Sequence, residues 1–215
     1  MLDVQNPPST PVETPPAARK GDRTERRAEI LRLALDLFSK KGYTGTTMAE
    51  IATAAGLAVG TLYKFFKDKN DLYQALLSET VHDFESRLLA VLKAEGPPID
   101  RLNRFIDVGS QLFVEHLPMT RVYFSQTAAA FLFASAGLED ESYLSYRRIV
   151  DAVAEVCADA VRRGEMVDLP PAVLALGLEG VHNGFLAALV RDPGCYTPTQ
   201  IATYTKQMFF AAVRK

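Results

Sequence analysis

Tryptophan is absent from this 215-residue chain, and cysteine is scarce, at two residues. Cys157 and Cys195 lie far apart without C-x-x-C spacing. Neither a disulfide framework nor a paired-thiol metal site can be read from them, so both are expected to be buried or incidental thiols in a reducing compartment. The three histidines, His82, His116 and His182, are scattered without H-x-x-x-H spacing, so no metal is assigned. Gly-x-Ser-x-Gly and phosphate-loop motifs are missing, as is any convincing nucleophile–base spacing, so neither an enzyme nor a cofactor is expected.

Long apolar runs are also lacking. The longest weakly polar stretch, Ala128 to Gly137, is about half of the roughly 20 residues that a bilayer crossing needs. The opening Met1-Leu2-Asp3 carries an acid and leads into prolines, unlike a secretory signal. A cytoplasmic protein is the expectation.

What is present suits a folded chain, with 48% hydrophobic and 23% charged residues. The net charge of −2 conceals an asymmetry. Residues 19–71 hold 11 Lys/Arg against 7 Asp/Glu, whereas residues 72–215 hold 13 against 17. A basic unit on a mildly acidic body suits a polyanion-binding module.

Three segments follow: a Pro-rich arm expected to be disordered over 1–18, the basic unit over 19–71, and a helical body over 72–215. The arm carries five of the twelve prolines and too few large apolar groups to offset the entropy of ordering. Beyond it, Ile30, Leu33, Ala34, Leu37 and Phe38 mark one helix face, which ends at Gly42. Thr47-Met48-Ala49-Glu50 reads as a capping box that opens a second helix, and Gly56 suits the turn that closes it. A short third helix runs through Thr61-Leu62-Tyr63-Lys64, with Leu62 and Phe66 facing inward. Asp68 caps a long fourth helix that Gly96-Pro97-Pro98 stops.

Breakers then separate five further helices, near 100–115, 120–134, 140–163, 171–190 and 198–213. The fold class is all-α, with about nine helices and no sheet.

Two short helices joined through Ala55-Gly56-Leu57 have helix-turn-helix chemistry, in which the second helix enters a major groove. The run Thr46-Thr47-Met48-Ala49-Glu50-Ile51-Ala52, continued by Ala55-Gly56-Leu57-Ala58-Val59-Gly60-Thr61-Leu62-Tyr63-Lys64-Phe65-Phe66-Lys67-Asp68-Lys69, strongly resembles the TetR family of bacterial transcriptional regulators. The motif-level resemblance covers roughly residues 23–75.

The resemblance implies a homodimeric, usually repressing, double-stranded-DNA-binding protein whose C-terminal domain binds a small-molecule effector. It implies phosphate contacts from Thr46 and Thr47, base-edge contacts from Val59 and Thr61, and backbone anchoring by Tyr63 and Lys64. Lys69, with the amides that open the fourth helix, would take a further phosphate. Gly60 would let the backbone approach DNA closely. Ala58 departs from the family pattern, which often has a capping Ser or Thr there, at a cost of about 1 kcal/mol.

The body is rich in aromatics that could line an apolar effector site: Phe105, Phe113, Tyr123, Phe124, Tyr143 and Tyr146, with Phe131 and Phe133 nearby. His116, Gln126, His182 and Asn183 are the candidate polar handles. For any one aromatic, simple core packing competes with ligand contact. The last two helices, about 171–190 and 198–213, mix glycine and alanine with apolar residues, as a dimer-forming four-helix bundle would require. A helical ligand-binding or interaction protein without DNA function is the competing reading.

Overall fold

The computed structural model describes residues 20–126 and 141–214. The expected arm over 1–18, together with Phe131, Phe133 and the expected helix end at Ala134, lies outside the described residues. Among the described residues there are nine helices and no strand, only an isolated bridge between Met166 and Arg214. The helices are α1 (Lys20–Lys41), α2 (Met48–Ala54), α3 (Val59–Leu62), α4 (Lys69–Lys93), α5 (Pro98–Glu115), α6 (Leu117–Gln126), α7 (Glu141–Arg162), α8 (Pro171–Arg191) and α9 (Pro198–Val213).

Local chemistry explains most boundaries. Thr47 accepts the Glu50 N–H at 3.2 Å while the Glu50 carboxylate accepts the Thr47 N–H at 2.9 Å, which is the capping box read from sequence. Thr197 and Gln200 repeat it at the start of α9. Gly56, with φ +64°, follows the end of α2: its N–H bonds to the Thr53 carbonyl and the Leu57 N–H to that of Ala52. That Schellman pair satisfies two orphan carbonyls while the chain turns.

α6 begins three residues before the expected position 120. His116 ends α5 and Leu117 opens the next helix at once, so Pro118 falls in the first turn, where its missing N–H costs nothing.

Two packed units result. Ile30, Leu31, Ala34 and Phe38 of α1 bury against Ile51, Ala52, Leu62 and Phe66, forming the core of the small unit. Leu72, Tyr73 and Leu76 of α4 and Met119 and Val122 of α6 complete it. The expected boundary at 71/72 therefore cuts a shared helix, since Leu88 and Leu92 of the same α4 belong to the core of the larger unit. There α4 packs on α7, α7 on α8 and α5 on α9.

α8 corrects the reading that no helix could span a membrane. Its 21 residues, the most apolar 18 of which have a mean hydropathy of 1.6, pass that test by length and composition. Its inner face is packed by Leu174, Ala175, Leu178, Leu186 and Leu189. The outer face presents Val173 and Leu176 to the surface.

Candidate nucleic-acid interface and effector cavity

The helix-turn-helix is held by α1. Arg26 pairs with Glu29 and donates from Nη2 to the Ala55 carbonyl at 2.6 Å, so a guanidinium closes the C-terminal end of α2. Arg27 bridges to Glu79 of α4 at 3.0 Å, and its guanidinium stacks over the Phe66 ring at 5.0 Å. Lys41 reaches Glu50 at 2.6 Å. That hydrogen bond, followed by those from Thr47, lowers the Glu50 carboxyl to about 2, so the capping box stays ionised.

On this frame the expected DNA-facing residues fall into two groups. Val59 is 41% and Tyr63 50% exposed, large values for apolar and aromatic groups on a packed unit. Thr47, Gly60 and Lys64 are exposed and Thr61 is half-buried. Nothing stands within 4 Å of a Cβ built at Gly60, so its surface is open. Ala58 makes no side-chain cap, as its side chain dictates.

Thr46 and Lys69 are placed differently. The Thr46 side chain is fully buried and donates to the Gly42 carbonyl at 2.9 Å, so its hydroxyl does not face a phosphate. Lys69 donates to the Tyr43 and Thr46 carbonyls, both at 2.8 Å, over the Tyr43 ring at 4.4 Å. Two of its three N–H groups thus tie the α1–α2 loop to α4 instead of reaching outward. Of the amides that open α4, that of Asp71 is engaged, its N–H accepted by the Asp68 carboxylate at 2.7 Å, and just before the helix Asp71 in turn accepts the Lys67 N–H at 2.8 Å. Backbone carbonyls within loops carry no residue-type signal, so these acceptors were invisible in the sequence. Arg23, exposed and donating to the Lys64 carbonyl at 3.3 Å, is a cation beside α3 that the sequence reading missed.

Between α4, α5, α6, α7 and α8 lies a cavity of about 210 Å³. The structure brings Phe105, Phe113, Tyr123, Phe124, Tyr143, Tyr146, His182 and Asn183 to its wall, all singled out from sequence. Gln126 is exposed and, among the described residues, bonds to Ser125, and His116 sits behind the wall, its Nε2 2.7 Å from Asp83. Neither lines the cavity. Although burial works the other way, hydrogen bonds from His116 and Arg87 lower the Asp83 carboxyl. Asp83, Glu115 and His116 lie within 4.8 Å of one another, but Arg87 already spans the two carboxylates at 3.2 and 3.1 Å.

His182 is buried, with its ring centroid 4.4 Å from that of Phe113. Its Nε2 lies 3.0 Å from the Ser110 hydroxyl, which itself donates to the Ile106 carbonyl at 2.7 Å. With that hydroxyl proton used, Nε2 is the donor and Nδ1 an acceptor. Burial lowers the imidazole to about 3, keeping it neutral.

Glu179 was missed, although it stands three and four residues before His182 and Asn183, the spacing that shares a helix face. It is 7% exposed, and burial raises its carboxyl to about 7. Tyr146 beside it is pushed up to about 12 by burial and then by the Glu179 charge. Burial alone raises the Cys157 thiol to about 12, which makes it inert.

The helix-turn-helix matches the family model for bacterial regulatory proteins of the tetR family over residues 30–76. The nucleoid occlusion factor SlmA of Sodalis glossinidius is 30% identical over 187 residues, which span 86% of this chain and 92% of that protein. Among solved structures, the MbdR regulator of Azoarcus superposes with a TM-score of 0.67 at 26% identity, covering 87% of this chain and 96% of that one. SmeT, the repressor of the Stenotrophomonas maltophilia multidrug efflux pump SmeDEF, superposes at 0.68 and 19% identity, covering 88% and 90%. The chain belongs to the TetR family, and it is a DNA-binding transcriptional regulator of the helix-turn-helix type, not an enzyme.

Proposed function

We propose that the protein is a homodimeric repressor that occupies a near-palindromic operator in the cytoplasm and leaves it when a small apolar or aromatic effector fills the cavity. One observation carries the reading: Met119 of α6 lines the cavity and is also buried in the core of the DNA-binding unit. An occupant that displaces α6 must therefore repack α1, because close-packed cores shift between discrete arrangements rather than deforming smoothly. Differential affinity of the effector for the two arrangements is what linkage requires.

Dimerisation is supported by the outer surface of α8 and α9. Leu176 is 59% and Met208 58% exposed, flanked by exposed Val173 and Tyr204 and by the open backbone at Gly180. A two-fold pair through these faces would set two recognition helices against half-sites about 34–36 Å apart, or a multiple of one turn. On DNA, Val59, Gly60 and Thr61 would meet base edges, with Thr47, Tyr63, Lys64 and Arg23 on the backbone.

The likeness to SlmA supports a second reading, nucleoid occlusion, named for those relatives. Selecting duplexes from a random pool, then measuring affinity across salt concentrations, tests the first. A palindrome enriched well above a scrambled duplex, and released by a cavity ligand, supports the gated repressor. Specific DNA binding that no ligand alters, with cell-division defects on deletion, supports the second.

A further inference from the structure

Glu179 and the cavity around it narrow the effector's chemistry. Its Oε2 accepts from Asn183 Nδ2 at 3.2 Å, whereas Oε1 is buried and has no hydrogen-bond partner among the described residues. Buried polar atoms are nearly always paired, so an orphaned carboxylate oxygen on a cavity wall is a site awaiting a donor. α8 carries Glu179, His182 and Asn183 on one face, and all three line the cavity.

The rest of the wall supplies nothing to pair with it from the positive side. Among the described residues it contains no lysine or arginine. His182 is held neutral and offers Nδ1 as an acceptor, since its Nε2 proton is spent on Ser110. The remaining lining mixes aromatic rings, among them Phe84, Phe105, Phe113 and Tyr143, with aliphatic side chains and the uncharged hydroxyls of Thr80, Thr120, Ser142 and Ser145. Ring faces attract cations and a lone buried carboxylate repels anions.

We propose that the cavity binds an organic amine: a protonated primary or secondary ammonium donates an N–H to Glu179 Oε1, and an apolar or aromatic body of modest size fills the space between the rings. The inference rests on the cavity being the effector site. An ammonium fits better than a quaternary nitrogen because the orphaned oxygen needs a hydrogen, not charge alone.

The titration of Glu179 supplies a signature. Among the described residues, the titratable groups that share the wall with it are Tyr143 and Tyr146 from α7, Tyr123 from α6, and His182 of its own helix, where Asn183 is its hydrogen-bond donor, while α4 and α5 bring no ionisable group to the wall. With its carboxyl raised to about 7 by burial, an ammonium must bind the ionised form, so complex formation below that pH expels a proton.

The probes are 4-phenylbutylamine, its N,N,N-trimethyl derivative, 4-phenylbutan-1-ol and 4-phenylbutanoate, titrated calorimetrically into the full chain from pH 5.5 to 8.5 in buffers of differing ionisation heat. We expect the amine to bind at least about tenfold more tightly than the alcohol, the quaternary analogue and the acid. Its affinity should weaken by up to about tenfold per pH unit below pH 7, with release approaching one proton per site. Glu179→Gln, nearly isosteric, should abolish the proton release and the preference for the amine. The pH series on the unaltered protein decides the matter even if the variant folds poorly.

Equal or tighter binding of the alcohol or the acid, amine affinity without pH dependence, or no amine binding at millimolar concentration would each overturn the proposal. Operator release is followed in parallel. Amine binding that leaves the operator occupied overturns effector gating and keeps the amine site. Release by the alcohol or the acid, but not by the amine, keeps gating and overturns the amine.

Discussion

Gly109 lies directly beneath the His182 imidazole, so close that a Cβ at position 109 would stand 2.6 Å from Cε1 of the ring. α5 and α8 can meet there only because residue 109 has no side chain. Phe105 and Phe113 bracket the same ring, leaving it little room to shift. Gly109→Ala should cost about 1–3 kcal/mol in denaturant unfolding and reshape the cavity wall. Unchanged stability would show that the imidazole has another place to go.

Arg26 should matter to DNA through geometry alone. Arg26→Ala removes the donor that closes α2 at the Ala55 carbonyl, a charge-assisted bond that contributes about 1–2 kcal/mol in this half-buried setting. The expected result is a lower melting temperature and weaker operator binding. Weaker binding with unaltered stability would mean that Arg26 touches DNA itself.

Tyr63 and Lys64 are exposed, so their removal should leave folding intact. Lys64→Ala should weaken binding to all sequences and reduce the slope of log affinity against log salt by about one. Tyr63→Phe should cost roughly tenfold in operator affinity, or about 1.4 kcal/mol. Full affinity in both variants would remove α3 from the interface.

Leu176→Glu places a charge on the outer face of α8, where the proposed partner would bury it. Sedimentation should show a monomer, and operator affinity should collapse, because each half-site then binds alone. A dimer that persists would move the interface off this face.

Stability against pH isolates Glu179. Its folded carboxyl stands near 7 against an ordinary value of 4.5, so the native chain keeps a proton that the unfolded chain loses between those limits. Native stability attributable to this group therefore falls as pH rises through that window and levels off above it. Glu179→Gln escapes the loss: relative to the unaltered protein it should gain about 2–3 kcal/mol between pH 4.5 and pH 8. A pH-independent difference between the two would show that the carboxylate is not desolvated.

Local signals in the chain were strong wherever chemistry between neighbours set the outcome. Thr47 with Glu50, Thr197 with Gln200, and Gly56 after Ala55 each define a helix end within a few residues, and the structure has all three. The start of α6 was misplaced because Pro118 breaks a helix interior but suits a first turn, and nothing in the residue itself says which turn it occupies.

The helical class, the helix-turn-helix with its inward Leu62 and Phe66, and the aromatic supply of the cavity are legible along the chain, because periodicity and capping act over one or two turns. Which polar groups are spent and which are left over is settled by packing between distant segments. Thr46 and Lys69 were drawn inward by carbonyls of the α1–α2 loop, His116 was taken by Asp83, and Glu179 was carried into an apolar cavity with one oxygen unpaired. Hydrogen-bond partners are assigned by proximity in space, and for a buried group the outcome depends on neighbours that stand tens of residues away along the chain.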